Sequence, residues 1–71
     1  MTYTVSSSRE AVLAQVGHRY VMVKEIAERV GVTMSTALTH LHAAAEEGLI
    51  ERVEGLTLEG REAYFWRRRL A

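Results

Sequence analysis

The chain has 71 residues, 48% of them hydrophobic, with nine Lys or Arg balanced by nine acidic residues and no net charge. That length allows one domain around one small core. The absence of cysteine excludes disulfides, thiolate zinc sites and thiol nucleophiles, and no apolar run approaches the roughly 20 residues a membrane helix needs. The start, Met1 to Thr4, carries no signal-peptide pattern, so a soluble cytoplasmic protein is expected, with no membrane contact. The acids are all Glu, and Lys24 is the one lysine among the cations. Arg67, Arg68 and Arg69 cluster together, while Glu46, Glu47, Glu51 and Glu54 cluster in the middle of the chain.

Residues 1–6 read as a flexible N-terminal arm, and residues 7–71 as the domain. Ser7 with Glu10 three residues later is a capping box. It opens a helix with an apolar face of Ala11, Val12, Leu13, Ala14 and Val16, and Gly17 is its expected left-handed stop. Residues 20–23, Tyr-Val-Met-Val, predict one short strand. A second helix over 24–30 buries Ile26, Ala27 and Val30 and presents Glu25, Glu28 and Arg29. Gly31 supplies a turn.

Thr33 is a good N-cap for a third helix over 33–47. At 100° per residue, Ala37, Leu38, Leu41, Ala44 and Ala45 fall on one side. Thr36, Thr39, His40 and Ala43 fall opposite, and Ser35, His42 and Glu46 share a flank. This outer face carries hydroxyls and imidazoles but no Arg or Lys. Gly48 reverses the chain. Residues 49–53 alternate like a strand, Glu54-Gly55 makes a minimal turn, and Leu56-Thr57 returns as a very small hairpin. Thr57 then caps a terminal helix over 58–70. Glu59 and Glu62 would suit its positive end and Arg67 to Arg69 its negative end.

Two helices joined by a short glycine-containing turn are the signature of a helix-turn-helix. The whole order, mainly α with a small β-hairpin, resembles a winged helix-turn-helix: a three-helix core, a minimal wing and a C-terminal helix. Three stretches carry the likeness. Residues 23–33, Val-Lys-Glu-Ile-Ala-Glu-Arg-Val-Gly-Val-Thr, resemble the helix-turn-helix opening of MarR- and ArsR-like transcriptional regulators. Residues 38–50, with His40-Leu41 and Glu46-Glu47-Gly48-Leu49-Ile50, resemble their recognition helix and its run into the wing. Residues 56–62, Leu-Thr-Leu-Glu-Gly-Arg-Glu, resemble the L-T-x-x-G-R segment after the wing.

The resemblance implies a sequence-specific regulator of transcription, most simply a repressor, with helix 33–47 in the major groove of double-stranded DNA. Its candidate DNA contacts are Lys24, Thr33, Met34, Ser35, Thr36, Thr39, His40 and Arg52. The sequence departs from the family where Arg, Gln or Lys usually stand on the reading face. The Arg67–Arg69 run reads either as helix-dipole complement or as a phosphate contact. Three consecutive aromatics cannot all enter one core from one helix. Tyr64, Phe65, Trp66 and Leu70 are therefore candidates for a homodimer interface, with completion of the core as the other reading. No cofactor, metal or small-molecule ligand is expected: His40 and His42 sit on different faces, and His42 with Glu46 gives too few ligands for zinc. No nucleophile, base and orienting group stand at useful spacing, so no enzyme is expected. The rival function is a winged-helix assembly module that has lost DNA binding; neutral charge and a cation-free face favour it.

Overall fold

The computed structural model describes residues 8–70. Three helices, α1 Ser8–Ala14, α2 Val23–Val30 and α3 Met34–Glu46, precede two strands, β1 Ile50–Leu56 and β2 Glu62–Arg68. The strands pair antiparallel, giving a mainly α, winged-helix-like fold with a small hairpin. The expected arm over 1–6 and the Ser7 cap lie outside the described residues.

The helices form where the apolar periodicity places them. α1 buries Val12, α2 buries Ile26 and Ala27, and α3 buries Ala37, Leu41 and Ala44. Small residues at 27, 37 and 44 let α1, α2 and α3 pack closely on one another. α1 is shorter than expected. Its end tightens through bonds from Gln15 N–H to Val12 C=O and from Val16 N–H to Leu13 C=O. Gly17 is not left-handed; its carbonyl instead accepts from Arg68 N–H at 2.7 Å. The strand expected over 20–23 shrinks to a single bridge, Val21 to Trp66, with both backbone bonds made (2.9 and 2.8 Å). Val23 already belongs to α2.

The largest correction lies beyond Gly48. No helix spans 58–70. β1 runs straight through Glu54-Gly55, and the chain turns at 57–61. Thr57 N–H donates to Arg61 C=O (2.8 Å), and the Thr57 hydroxyl accepts from Arg61 N–H (3.2 Å). Thr57 therefore caps a turn, not a helix. Gly60, at φ 81°, takes the left-handed position this turn requires. The terminal helix is replaced by β2, and two physical reasons account for it. Tyr64, Phe65 and Trp66 favour the pleated strand, which sends neighbours to opposite faces. Trp66 thus enters the core while Phe65 packs on the other face of the sheet. Gly55 then serves a different purpose from the turn expected of it. A Cβ there would stand 2.9 Å from Phe65 Cε2, so the missing side chain makes room for the ring.

Trp66 closes the core. It is 1% exposed and sits among the buried residues Val12, Val16, Val21, Ile26, Leu41 and Ile50. Its indole Nε1 has no hydrogen-bond partner in the described structure, so its contribution is apolar burial and contact. His42 meets the indole edge-on, with ring centroids 5.3 Å apart at 82°. On the outer face Phe65 meets Tyr20 edge-on at 6.3 Å.

Removing the indole should be severe. Trp66→Ala is expected to cost about 3–5 kcal/mol, most or all of the stability of a domain this small. Thermal denaturation by circular dichroism checks this; an unchanged melting temperature would contradict Trp66 as the centre of the core. Gly55→Ala should cost about 1–3 kcal/mol through crowding of Phe65, read by the same melt.

Candidate nucleic-acid interface

The helix-turn-helix is built from α2, Gly31 to Thr33, and α3. Gly31 ends α2 in the left-handed region (φ 82°), and its N–H returns to Ala27 C=O at 2.8 Å. Glycine is needed there because a Cβ disfavours that conformation. Thr33, extended at φ −73° and ψ 158°, starts α3, and its hydroxyl accepts from Thr36 N–H at 3.1 Å. The same hydroxyl donates to Thr36 Oγ1 at 3.0 Å. The turn is thus held by a capped start on one side and a left-handed stop on the other.

On α3, Met34, Ser35, Thr39, His42 and Glu46 are exposed, and Thr36, His40 and Ala43 are half-buried. The exposed centre of α3 thus lies toward the flank of Ser35, His42 and Glu46 rather than on the side expected opposite the core, and Met34, which the wheel sets near the buried side, is 48% exposed. The hydroxyls are less free than the sequence suggests. Thr39 donates to Ser35 C=O at 3.0 Å, and the Thr33 proton is directed to Thr36. The Thr33 and Thr39 hydroxyls therefore remain chiefly as acceptors toward an outside ligand.

The candidate cations flank this helix. Lys24 is exposed in the first turn of α2. Arg52 projects from β1, stacked over the Tyr64 ring at 4.3 Å. It also lines a crevice with His42, Ala45, Glu46 and Trp66, so the base of the hairpin stands beside the C-terminal half of α3. Glu46 in the same crevice offsets part of its charge. The Arg52–Tyr64 stack depends on strand register and has no signal in local spacing.

The terminal arginines have other duties. Arg67 forms an ion pair with Glu51 on the neighbouring strand and lies over the Tyr20 ring at 4.7 Å. The hydrogen bond to Glu51 holds its guanidinium pKa above the ordinary arginine value. Arg68 reaches Leu13 C=O at 3.3 Å. With no helix in this segment, helix-dipole complement does not apply. Arg9 pairs with Glu47 and Arg29 lies 3.9 Å from Glu25. Much of the basic complement is therefore paired within the domain.

The four residues read as candidates for a dimer surface are not brought onto one face. Trp66 is core, Phe65 is half-buried against Gly55 and Tyr20, and Tyr64 and Leu70 are exposed. Strand geometry is the reason: Tyr64 and Phe65 point to opposite faces of the sheet.

The hairpin end has its own character. Leu56 is 66% exposed and Leu58 fully so, with Glu54, Glu59, Arg61 and Glu62 exposed around them. Acids outnumber cations at this tip, whereas a wing that enters a minor groove uses cations there. Among the described residues no three of His, Asp or Glu gather as a metal site, and no helix is long and apolar enough to cross a membrane.

A first helix, a bridging residue at Val21, a helix-turn-helix and a hairpin, in this order, match a winged-helix-like fold. A solved structure described as a possible transcriptional regulator from Methanosarcina mazei Go1 matches it with a TM-score of 0.69. That match covers 89% of this chain and 52% of the other, at 13% identity. The chain thus spans about half the length of that protein, and the likeness is one of fold. No family model and no curated protein matches the sequence.

The cap gives a direct test of how α3 is held. Thr33→Ala should lower stability by about 1 kcal/mol, a drop of roughly 4–8 °C in melting temperature for a domain of this size. Thr33→Ser, which keeps the acceptor, should recover most of it.

Proposed function

We propose that this chain is a sequence-specific DNA-binding domain that regulates transcription, acting in the cytoplasm by occupying a site on double-stranded DNA. The observation that carries the reading is the exposed face of α3, Met34, Ser35, Thr39 and the edge of His40, displayed by a capped helix-turn-helix. A solved structure of the same fold described as a possible transcriptional regulator supports it.

In this reading α3 lies in the major groove and α2 crosses the backbone. Met34 offers apolar contact to thymine methyls, and Ser35 and His40 offer hydrogen bonds to bases or phosphate. Thr39, its proton spent on Ser35 C=O, accepts from the amino group of adenine or cytosine. Thr33 and Thr36 lie at the start of the helix against the backbone. Lys24 and Arg52 supply phosphate contacts from either side. Repression by occlusion is the simplest outcome, with no catalysis, cofactor or small-molecule effector required. Two copies on one site would compensate for a single face without cations.

The second reading is an assembly module without DNA binding. The specific observation favouring it is the acidic, leucine-bearing tip of the hairpin.

Selection from a random duplex library, followed by mobility shifts at several salt concentrations, separates the two. The DNA reading expects an enriched sequence and a log–log salt slope near −0.9 per phosphate contacted. Lys24→Ala and Arg52→Ala should each reduce that slope by about 1 with sequence preference kept, while His40→Ala should relax the preference. No enrichment and no shift at low salt would sink the DNA reading.

A further inference from the structure

We propose that the free edge of β1 pairs with β1 of a second copy, antiparallel about a two-fold axis at Val53, joining two hairpins into one continuous sheet.

The edge is available and its backbone direction is fixed. β2 lies between β1 and the Val21 bridge, so among the described residues no strand covers the outer side of β1. Trp66 spends both its N–H and its C=O on Val21, and Arg68 N–H turns to Gly17. These groups point away from β1, so Arg52↔Trp66 and Ile50↔Arg68 are non-hydrogen-bonded pairs in the hairpin. By the same alternation Ile50, Arg52, Glu54 and Leu56 direct their own backbone groups outward. Glu51, Val53 and Gly55 spend theirs on β2.

This parity restricts how two such edges can meet. Outward residues must oppose outward residues, so the registers available differ by two-residue steps. Centring the axis on Arg52 sets Arg52 against itself, and centring it on Glu54 sets Glu54 against itself. Both place like charges directly opposite, which destabilises a strand pair. Centring it on Val53 sets Arg52 opposite Glu54 of the partner and Glu54 opposite Arg52 of the partner. Ile50 then faces Leu56, Glu51 faces Gly55, and Val53 meets Val53 in the close, non-hydrogen-bonded position. The sequence Ile-Glu-Arg-Val-Glu-Gly-Leu thus complements itself in one register.

The side chains agree on both faces. Arg52 and Glu54 share one face, and no ion pair engages either within the described chain. Charged side chains are an ordinary protection of a bare edge; those of β1 on this face, Arg52 and Glu54, are of opposite sign and so complement each other across a two-fold axis. On the other face Phe65, Val53 and Gly55 line a groove with Tyr20, bordered by Glu54 and Leu56. Two-fold pairing at Val53 continues that groove from one copy into the next. It also brings Leu56, 66% exposed in the single chain, alongside Ile50 of the partner. The assembly is closed, because each copy has one such edge and a two-fold axis uses both. It would relate two α3 helices by the same axis, which suits an inverted-repeat site. The pairing itself concerns the protein alone and stands or falls without DNA.

Sedimentation of the full chain without DNA, with circular dichroism as a check of folding, tests the proposal. The unaltered chain should dimerise. Arg52→Glu and Glu54→Arg change exposed side chains, so each should fold. Each alone should raise the dimer dissociation constant roughly tenfold or more, because both cross-pairs become like-charged. Mixed in equal amounts, the two variants should pair again, since each supplies the charge the other needs. Glu54→Pro removes an outward amide that the hairpin does not use and should give a folded monomer. A strictly monomeric parent chain, single variants that dimerise as the parent does, or a mixture that fails to pair would overturn the β1 register.

Discussion

The fold depends on the burial of one indole from a strand. Trp66 enters the space among α1, α2 and α3, and its backbone simultaneously holds Val21 by two hydrogen bonds. One residue therefore joins the hairpin to the helices by packing and the segment before α2 to the sheet by hydrogen bonding. Without it the hairpin would have one partner strand and little apolar area, and isolated hairpins are marginal in water. The unpartnered Nε1 is a cost carried inside a favourable term, since the apolar area of a tryptophan outweighs one lost hydrogen bond of about 1–3 kcal/mol.

The same arrangement shapes the functional surface. Once Trp66 fixes β2, register places Tyr64 beneath Arg52 and sets Arg52 beside α3. Cations that seem free in the sequence become partners within the domain: Arg67 with Glu51, Arg9 with Glu47, Arg68 with Leu13. Among the described residues Arg9, Arg29 and Arg67 are committed to ion pairs and Arg68 to a carbonyl. The exposed face of α3 offers acceptors, imidazole and apolar surface. In the proposed DNA reading, such a face carries little of the salt-dependent, sequence-independent attraction that dominates most DNA binding.

Local pattern located α2, α3, the turn between them and the buried side of each. Apolar spacing located Ile26, Ala27, Ala37, Leu41 and Ala44, and Gly31 and Thr33 marked the stop and the cap. These signals are local: periodicity at 3.6 residues, a left-handed glycine and a capping hydroxyl act within a few residues of one another. The outward set of Ser35, Thr39 and Glu46 followed from the same geometry.

The fate of residues 54–70 was set by contacts distant in the chain. Glu59, Glu62 and the terminal arginines imitate the charge pattern of a helix, and Glu54-Gly55 imitates a turn. What overrides them is long-range: Phe65 needs the bare backbone of Gly55 diagonally across the hairpin, and Trp66 needs the cavity left by three helices. Neither requirement is visible until strands ten or more residues apart are brought into register. Tertiary burial outweighs helix propensity differences of a few tenths of a kcal/mol per residue. For that reason the helix-turn-helix was legible from the chain alone, while the hairpin, the committed arginines and the free edge of β1 were not.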